Sequence, residues 1–398
     1  MDGLIAVGII LLFGGIGGYI ANRLYLPAVT GYIIFGLILG PSFLNLLTET
    51  QIDSFAPFNS FALGIIAITI GFELKYDKLY TLKNQLLKSF VVESLFTVTI
   101  TTLTVYLLGL DIRLAILLGI LSMTTSPTGV LAVLKEQKER ATGVFPRLMI
   151  SELAMDNLLS IVLFGFATSI IQSLESIERS FGVAEFMVVA GELFLAIAIG
   201  VIAGILMSFL APRTDNEAKV LIALIGMIAL TTGIAEFYDL SPILLNISTG
   251  ATIANLSIKR DWVFKVLEGI ELPIFVAFLT LAGAKLNLGL LPEVGVIGLG
   301  YIAARSAGKI MGARIGCHLA GFDKCTKDNL GYALMPQAGV AIGLSIVAEQ
   351  RLDIDVGVVT TVILAAVIVF EIIGPLLVKL ALKNIEEANN ECSKDEEE

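Results

Sequence analysis

Long apolar stretches, separated by short polar connections, recur along the whole of this 398-residue chain. Each stretch has roughly 17–25 residues, the length that a helix needs to cross the ~30 Å hydrocarbon core of a bilayer. Hydrophobic residues make up 56% of the sequence and charged residues only 16%, which is too apolar a composition for a water-soluble domain. The sequence therefore predicts an all-α protein that crosses a membrane many times.

Counting the apolar stretches predicts thirteen transmembrane spans. Their approximate bounds are 3–21, 27–41, 57–73, 86–108, 112–133, 146–172, 183–211, 217–236, 239–256, 262–283, 292–318, 328–349 and 355–382. The first stretch lacks a basic start and a clear small-residue cleavage site, so we expect it to be a retained span and not a signal peptide.

The positive charges indicate how the spans are oriented. Most of the 26 lysines and arginines fall in alternate connections or at the adjoining span ends. Because such residues concentrate on the cytoplasmic side, the pattern predicts a plasma-membrane protein with its N-terminus outside and its C-terminus inside. Residues 383–398 are strongly acidic and predict a disordered cytoplasmic tail, which argues against binding to nucleic acid. The three cysteines form no disulfide framework.

An internal repeat relates the two halves of the chain. Three short segments recur in order and at a nearly constant offset: residues 26–36 and 240–250, 71–74 and 283–286, and 126–127 and 335–336. Matching segments lie an odd number of spans apart, so the halves have inverted topology, as is typical of secondary transporters. This predicts a transmembrane domain over 1–382. Its parts are a first repeat over about 1–172, a linker helix at 183–211 and a second repeat over about 217–382.

Two corresponding spans carry interruptions: Pro127 and Gly129 in the fifth, and Pro336 and Gly339 in the twelfth. A proline inside a helix removes a backbone hydrogen bond and clashes with the preceding turn. Broken helices at matching positions of two repeats point to a transport site, and the hydroxyls of Thr125 and Ser126 beside the first break suit a hard cation. The alternative is a pair of simple proline kinks.

Asp156 lies in the middle of the sixth span, where an ionisable group is expensive and usually marks an ion or proton pathway. A desolvated carboxylate holds either a proton or a cation such as Na⁺, and this competition makes an exchanger. The alternative is a permanent structural pair between Asp156 and Lys285, at the end of the tenth span. Lys309 in the eleventh span is expected to snorkel toward the inner surface. Glu371 in the last span has no assigned role.

Four segments resemble the monovalent cation:proton antiporter superfamily: LPAVTGYIIFGLILGPS (26–42), TTSPTGVLAVLKE (124–136), ELAMDN (152–157) and ARSAGKIMG (304–312). The resemblance implies a core domain with crossed, unwound helices in spans 5 and 12, and a scaffold domain that usually forms a homodimer. It implies exchange of Na⁺, K⁺ or Li⁺ for H⁺ by movement of the core against the scaffold, without a cofactor. It also implies a transporter and not an enzyme.

The resemblance extends to individual residues. In similar proteins a glutamate at the position of Glu152 pairs with an arginine at the position of Arg305. Lys285 resembles a lysine of members with two adjacent aspartates, and Glu73 matches a position near the ion path. Asn157, with Ser126 and Thr125, is a candidate neutral ligand. The family usually carries Asn-Asp or Asp-Asp here, whereas this chain has the inverse order, Asp-Asn at 156–157, which leaves the ion stoichiometry open.

Two other functions fit parts of this pattern. One is a Kef-like potassium efflux channel or exchanger; no glycine-rich nucleotide-binding motif follows the last span in this sequence. The other is a sodium-coupled symporter of organic anions on a related fold, which would need a large polar cavity in place of a buried charge pair.

Overall fold

The computed structural model describes residues 3–24, 28–76, 83–136, 143–176, 183–238, 240–286, 291–337, 339–352, 354 and 356–395. Over these ranges it contains sixteen α-helices and no strand, so the all-α prediction is confirmed. The helices are α1 (Gly3–Arg23), α2 (Ala28–Leu39), α3 (Glu49–Ser54), α4 (Ala56–Glu73), α5 (Lys83–Leu107), α6 (Ile112–Ser122), α7 (Pro127–Glu136), α8 (Val144–Ser176), α9 (Val183–Leu210), α10 (Glu217–Phe237), α11 (Pro242–Leu256), α12 (Arg260–Ala284), α13 (Leu291–Ala320), α14 (Lys324–Ala333), α15 (Gly339–Arg351) and α16 (Gly357–Asp395).

Seven of these helices are long and apolar enough to cross a membrane by themselves, namely α1, α5, α8, α9, α10, α12 and α16. Four shorter helices are also apolar: α2, α4, α6 and α15. The linker helix predicted at 183–211 is α9, which ends at Leu210. The protein is thus a multi-pass membrane protein, while the count of thirteen spans stays a prediction.

The chain forms two compact units, each of which takes helices from both halves of the sequence. The first unit contains Met1–Asp77, Ile161–Asn287 and Arg351–Asp353. The second unit contains Lys78–Ser160, Leu288–Gln350 and Ile354–Glu398. The units therefore differ from the repeats, which follow one another along the chain.

Helix packing within the first unit reproduces the internal repeat. Gly36 of α2 lies so close to α12 that a Cβ there would collide with the carbonyl oxygen of Thr280. The matching Gly250 of α11 lies equally close to the carbonyl oxygen of Ile68 in α4. In the internal repeat Gly36 corresponds to Gly250, and Ile68 corresponds to Thr280, so the two contacts are equivalent. The same relation holds for a second pair of contacts, Gly283 with Ile33 and Gly71 with Ile247.

In the second unit a stripe of glycines brings α13 against α5. Glycines four residues apart on α13 meet residues at similar intervals on α5: Gly308 meets Thr97, Gly312 meets Glu93 and Gly316 meets Ser89. Small residues at this spacing let two membrane helices approach at backbone distance. The close approach holds the polar residues of α13 against those of α5.

The acidic tail differs from its prediction. Helix α16 continues without interruption to Asp395, so residues 383–395 are helical where the sequence predicted disorder. Residues 383–395 contain no proline or glycine, and they include three Glu and two Lys, which favour helix. Lys383 and Glu387, one turn apart, form a salt bridge of 3.4 Å that adds to this preference.

We predict that Gly312→Ala destabilises the protein. A Cβ at this position would lie 2.9 Å from the carbonyl oxygen of Glu93 and 3.0 Å from its Cα, so the helices must separate. Overpacking of this kind costs about 1–3 kcal/mol, which thermal denaturation in detergent would register as a lower melting temperature. Gly298→Ala is the control, since no heavy atom lies within 4 Å of its Cβ position on the same helix. An equal decrease in the melting temperature of both variants would contradict this account of the packing.

Candidate ion-binding site

Two interrupted spans meet in the second unit. The interruptions separate α6, ending at Ser122, from α7, beginning at Pro127, and α14, ending at Ala333, from α15, beginning at Gly339. The backbone N–H of Ser126 donates to the carbonyl oxygen of Pro336 over 2.8 Å, so the unwound segments touch. A Cβ at Gly129 would lie 3.1 Å from Cβ of Pro336. The predicted crossing of two broken helices is confirmed.

Arg305 of α13 binds the carbonyl oxygens that unwinding leaves without helical partners. Its Nε donates to Ser122 over 3.0 Å, and its two terminal nitrogens donate to Thr124 and Met335 over 2.8 Å each. The guanidinium is fully buried and lies 4.3 Å from the ring centroid of Phe370. A planar fork with several fixed donors suits this task better than a lysine ammonium. The Arg305 side chain thus forms hydrogen bonds to the backbone at both interruptions.

The expected ion pair between Glu152 and Arg305 is wrong. The guanidinium donates to three backbone carbonyls and forms no ion pair with Glu152 among the described residues. Glu152 is nevertheless fully buried and interacts electrostatically with Asp156 and Lys309. The helix breaks explain the difference, because they create buried carbonyl acceptors for the arginine.

Two amide side chains complete the support of the crossing. Asn157 donates from Nδ2 to the carbonyl oxygen of Thr125 over 2.9 Å, and its Oδ1 accepts the N–H of Thr125 over 3.3 Å. Gln337 donates from Nε2 to the carbonyl oxygen of Leu121 over 3.0 Å and to the hydroxyl of Tyr301 over 2.8 Å. Asn157 therefore reaches the site as predicted, but its amide is occupied by the unwound backbone.

Asp156 lies beside the crossing and is fully buried. Its Oδ2 is 2.5 Å from Nζ of Lys309 and accepts the hydroxyl of Thr125 over 2.9 Å. Its Oδ1 faces the hydroxyl of Ser94 at 3.5 Å. The structure thus brings together Asp156 and Thr125, two of the predicted site residues, and adds an ammonium and a second hydroxyl.

The alternative of a permanent pair between Asp156 and Lys285 finds no support among the described residues, because the ammonium in contact with this carboxylate belongs to Lys309. Lys285 lies directly after the C-terminus of α12. Lys309 is fully buried and does not snorkel to the surface. It lies one turn after Arg305 on the same face of α13, so the helix that supports the crossing also delivers the lysine.

Sequence reasoning missed Glu93, the second acid at Lys309. Its Oε1 is 3.1 Å from Nζ of Lys309 and accepts the hydroxyl of Thr97 over 2.9 Å. The side chain is fully buried in α5. A signal was present, because Glu93 is the one acid in the predicted span 86–108, and a mid-span acid is the criterion that singled out Asp156.

The other predicted residues lie at the edge of this arrangement or outside it. The hydroxyl of Ser126 accepts the N–H of Gly129 over 3.2 Å and also contacts the buried carboxyl of Glu371, which the sequence left without a role. Ser126 therefore supports the start of α7. Glu73 is the last residue of α4, and its side chain lies outside the described part of the structure.

A buried carboxylate beside two crossed, unwound segments, within a fold built from inverted repeats, defines a secondary transporter. Residues 8–383 match the family described as the transmembrane part of sodium/hydrogen exchangers, and the chain belongs to this family. The predicted membership of the monovalent cation:proton antiporter superfamily is confirmed. The family consists of transporters and not of enzymes.

Individual proteins support the same assignment. The probable Na⁺/H⁺ antiporter GerT of Bacillus cereus is 25% identical over 344 residues, covering 84% of this chain and 87% of GerT. The Na⁺/H⁺-K⁺ antiporter GerN of the same organism is 22% identical over 339 residues, covering 84% and 85%. The structure at pH 8 of the sodium proton antiporter MjNhaP1 from Methanocaldococcus jannaschii has a TM-score of 0.77 at 15% identity, covering 96% of this chain and 97% of MjNhaP1. At that identity the structural likeness establishes a shared fold.

We predict that Arg305→Lys lowers the free energy of unfolding by about 3 kcal/mol or more, because the variant leaves buried carbonyls without donors beside a buried charge. A lower melting temperature in detergent is the measurement. Arg314→Lys on the same helix is the matched control, since its guanidinium is exposed and its pair with Asp328 is worth about 1 kcal/mol at most. Similar melting temperatures for the two variants would refute the supporting role of Arg305.

We also predict that Asn157→Asp is destabilising, although it introduces an aspartate typical of the family. The new carboxylate would replace the N–H donor to Thr125 with an oxygen facing a carbonyl oxygen, at a cost of about 1–3 kcal/mol. Asn216→Asp makes the same chemical change at an exposed helix cap, where both residues serve equally well. An Asn157→Asp protein as stable as wild type would show that the amide is dispensable.

Proposed function

We propose that Asp156 is the carboxylate at which this protein exchanges a monovalent cation for protons across the membrane. The single observation that carries the proposal is the contact of 2.5 Å between buried Asp156 and the ammonium of Lys309. The carboxylate already binds a monovalent cationic group in a place without exposure to solvent. A metal cation and a proton are the other two partners that such a carboxylate accepts.

Competition among these partners supplies the exchange. A desolvated carboxylate is stable only when a proton or a positive charge compensates it. A metal cation must therefore displace the ammonium or the proton before it binds, and a returning proton releases the metal. Because the family alternates between two openings, each exchange would carry the two ions in opposite directions.

The oxygen atoms around Asp156 suit a hard monovalent cation. The hydroxyl of Thr125 contacts the carboxylate directly, and the hydroxyl of Ser94 lies near its other oxygen. Hard cations prefer such oxygen ligands. In this proposal Asn157 and Ser126 hold the unwound backbone in place and are not first choices as ligands, because their polar atoms are engaged there.

Na⁺ is the cation we favour, with K⁺ and Li⁺ as further candidates. The names of GerT and GerN refer to Na⁺/H⁺ and Na⁺/H⁺-K⁺ antiport. An organic anion is a poor substrate for this site, because the buried carboxyls of Glu93, Glu152 and Asp156 gather around one lysine. The anion-symporter alternative therefore loses its support.

The proposal includes a location and an assembly. The distribution of lysines and arginines supports a plasma-membrane protein with the N-terminus outside and the C-terminus in the cytoplasm. The resemblance to antiporters with a scaffold domain supports a homodimer. Exposed apolar side chains along α1, such as Leu4, Leu12 and Tyr19, are compatible with contact to lipid or to a second copy.

Transport by purified protein in liposomes tests the function. A Na⁺, K⁺ or Li⁺ gradient is imposed, and the lumenal pH is followed with an entrapped dye. Wild-type protein is expected to give a cation-dependent pH change, and Asp156→Asn is expected to behave like empty liposomes. The variant should still fold, because Lys309 keeps Glu93 as a counter-ion.

Asp215→Asn is the matched control, because it removes a carboxylate whose side chain is 95% exposed and pairs with Lys259. It should transport like wild type. A wild-type protein without any cation-dependent pH change would refute the exchange, whereas full activity of Asp156→Asn would refute only the assigned carboxylate.

A further inference from the structure

Lys309 contacts two carboxylates at once. Its ammonium is 2.5 Å from Oδ2 of Asp156 and 3.1 Å from Oε1 of Glu93. All three side chains are fully buried. Of the two acids, Asp156 directly precedes Asn157, which binds the unwound backbone. The second carboxylate therefore needs an explanation of its own, because a buried acid is expensive unless it is paired.

The surroundings of Glu93 hold its carboxylate in position for the lysine. Thr97, one turn later on α5, donates its hydroxyl to Oε1 over 2.9 Å. Ser94 places its hydroxyl between the acids, 3.4 Å from Oε2 of Glu93 and 3.5 Å from Oδ1 of Asp156. The contact of Gly312 with the backbone of Glu93 fixes the distance between the helices. The position of the acid is thus built into the packing of α5 and α13.

A cation at Asp156 would create a problem that this arrangement solves. The incoming ion would meet the ammonium of Lys309 at the same carboxylate, and two like charges repel strongly in a buried site. The ammonium must give up Asp156, yet it has no access to solvent. Among the described residues, Glu93 is the other carboxylate within ion-pair distance of Nζ. Glu152 interacts with Lys309 only at longer range.

We propose that Glu93 is a positioning residue that holds the ammonium of Lys309 while a cation occupies Asp156. The inference rests on the proposed function. With no cation bound, the ammonium bridges both acids, as in this structure. When the cation arrives, the ammonium keeps its contact with Glu93 and releases Asp156. Glu93 thereby lowers the cost of displacing the lysine and tunes the apparent affinity for the cation.

The test is a double-mutant cycle on the cation concentration that gives half-maximal transport in liposomes. Glu93→Gln is expected to raise this KM about tenfold, equivalent to ~1.4 kcal/mol, because the lysine then competes for Asp156 with full strength. The maximal rate should stay unchanged, since saturating cation still displaces the lysine. In a Lys309→Met background, Glu93→Gln should leave the KM unchanged, because no ammonium remains to be held.

Two further variants separate positioning from general damage. Glu93→Asp keeps the charge on a shorter side chain and should give a KM between those of wild type and Glu93→Gln. Asp215→Asn neutralises an exposed carboxylate that pairs with Lys259 outside the site, and it should leave the KM near wild type. If the Lys309→Met protein does not fold, the order of KM values in wild type, Glu93→Asp and Glu93→Gln tests the role of Glu93 without it. An unchanged KM in Glu93→Gln, or an equal increase in both backgrounds, would overturn the inference.

Failure of this inference can be told apart from failure of the proposed function. Cation-induced thermal stabilisation reports binding without requiring exchange, and the Asp156→Asn protein sets its baseline. A wild-type protein that is stabilised by cation but moves no protons would refute the antiport. The double-mutant cycle could then still be measured, with the cation concentration that gives half of the stabilisation in place of the KM. A wild-type protein with normal exchange and a Glu93→Gln variant with normal KM would refute the role of Glu93 alone.

Discussion

Backbone groups that two helix breaks free in a buried region need hydrogen-bond partners, and the whole site depends on this constraint. Two spans are interrupted where they touch each other, and their freed carbonyls require donors. Arg305 donates to three carbonyls, while Asn157 and Gln337 bind further backbone atoms of the same segments. These three side chains make an open backbone stable next to Asp156. Without these hydrogen bonds the unwound backbone beside Asp156 would not be stable.

On each of two helices, a residue that supports the crossing lies close to a residue of the charge cluster. Arg305 and Lys309 lie one turn apart on α13, and Asn157 directly follows Asp156 on α8. In each pair one residue binds the unwound backbone and the other takes part in the charge cluster. In this chain the first residue of the Asp-Asn pair therefore belongs to the charge cluster, and the second binds the unwound backbone.

The sequence predicted the architecture well because lipid restricts it severely. Apolar length determines spans, and matching prolines at 127 and 336 marked both interruptions. The partners of the charges were harder to predict. A buried arginine can bind a carboxylate or several carbonyls, and only the three-dimensional crossing decides between them. The lysine at Asp156 was misassigned because its approach depends on the glycine stripe of α13, whose partner helix the sequence does not reveal.

That glycine stripe also has a mechanical consequence. At Gly308, Gly312 and Gly316 helix α13 contributes no side chain to its contact with α5, so its backbone packs directly against α5. They would travel as one stiff body during any rearrangement, and Glu93 and Lys309 would travel with them. The distance between these two charges would then remain constant while the route to either side of the membrane opens and closes.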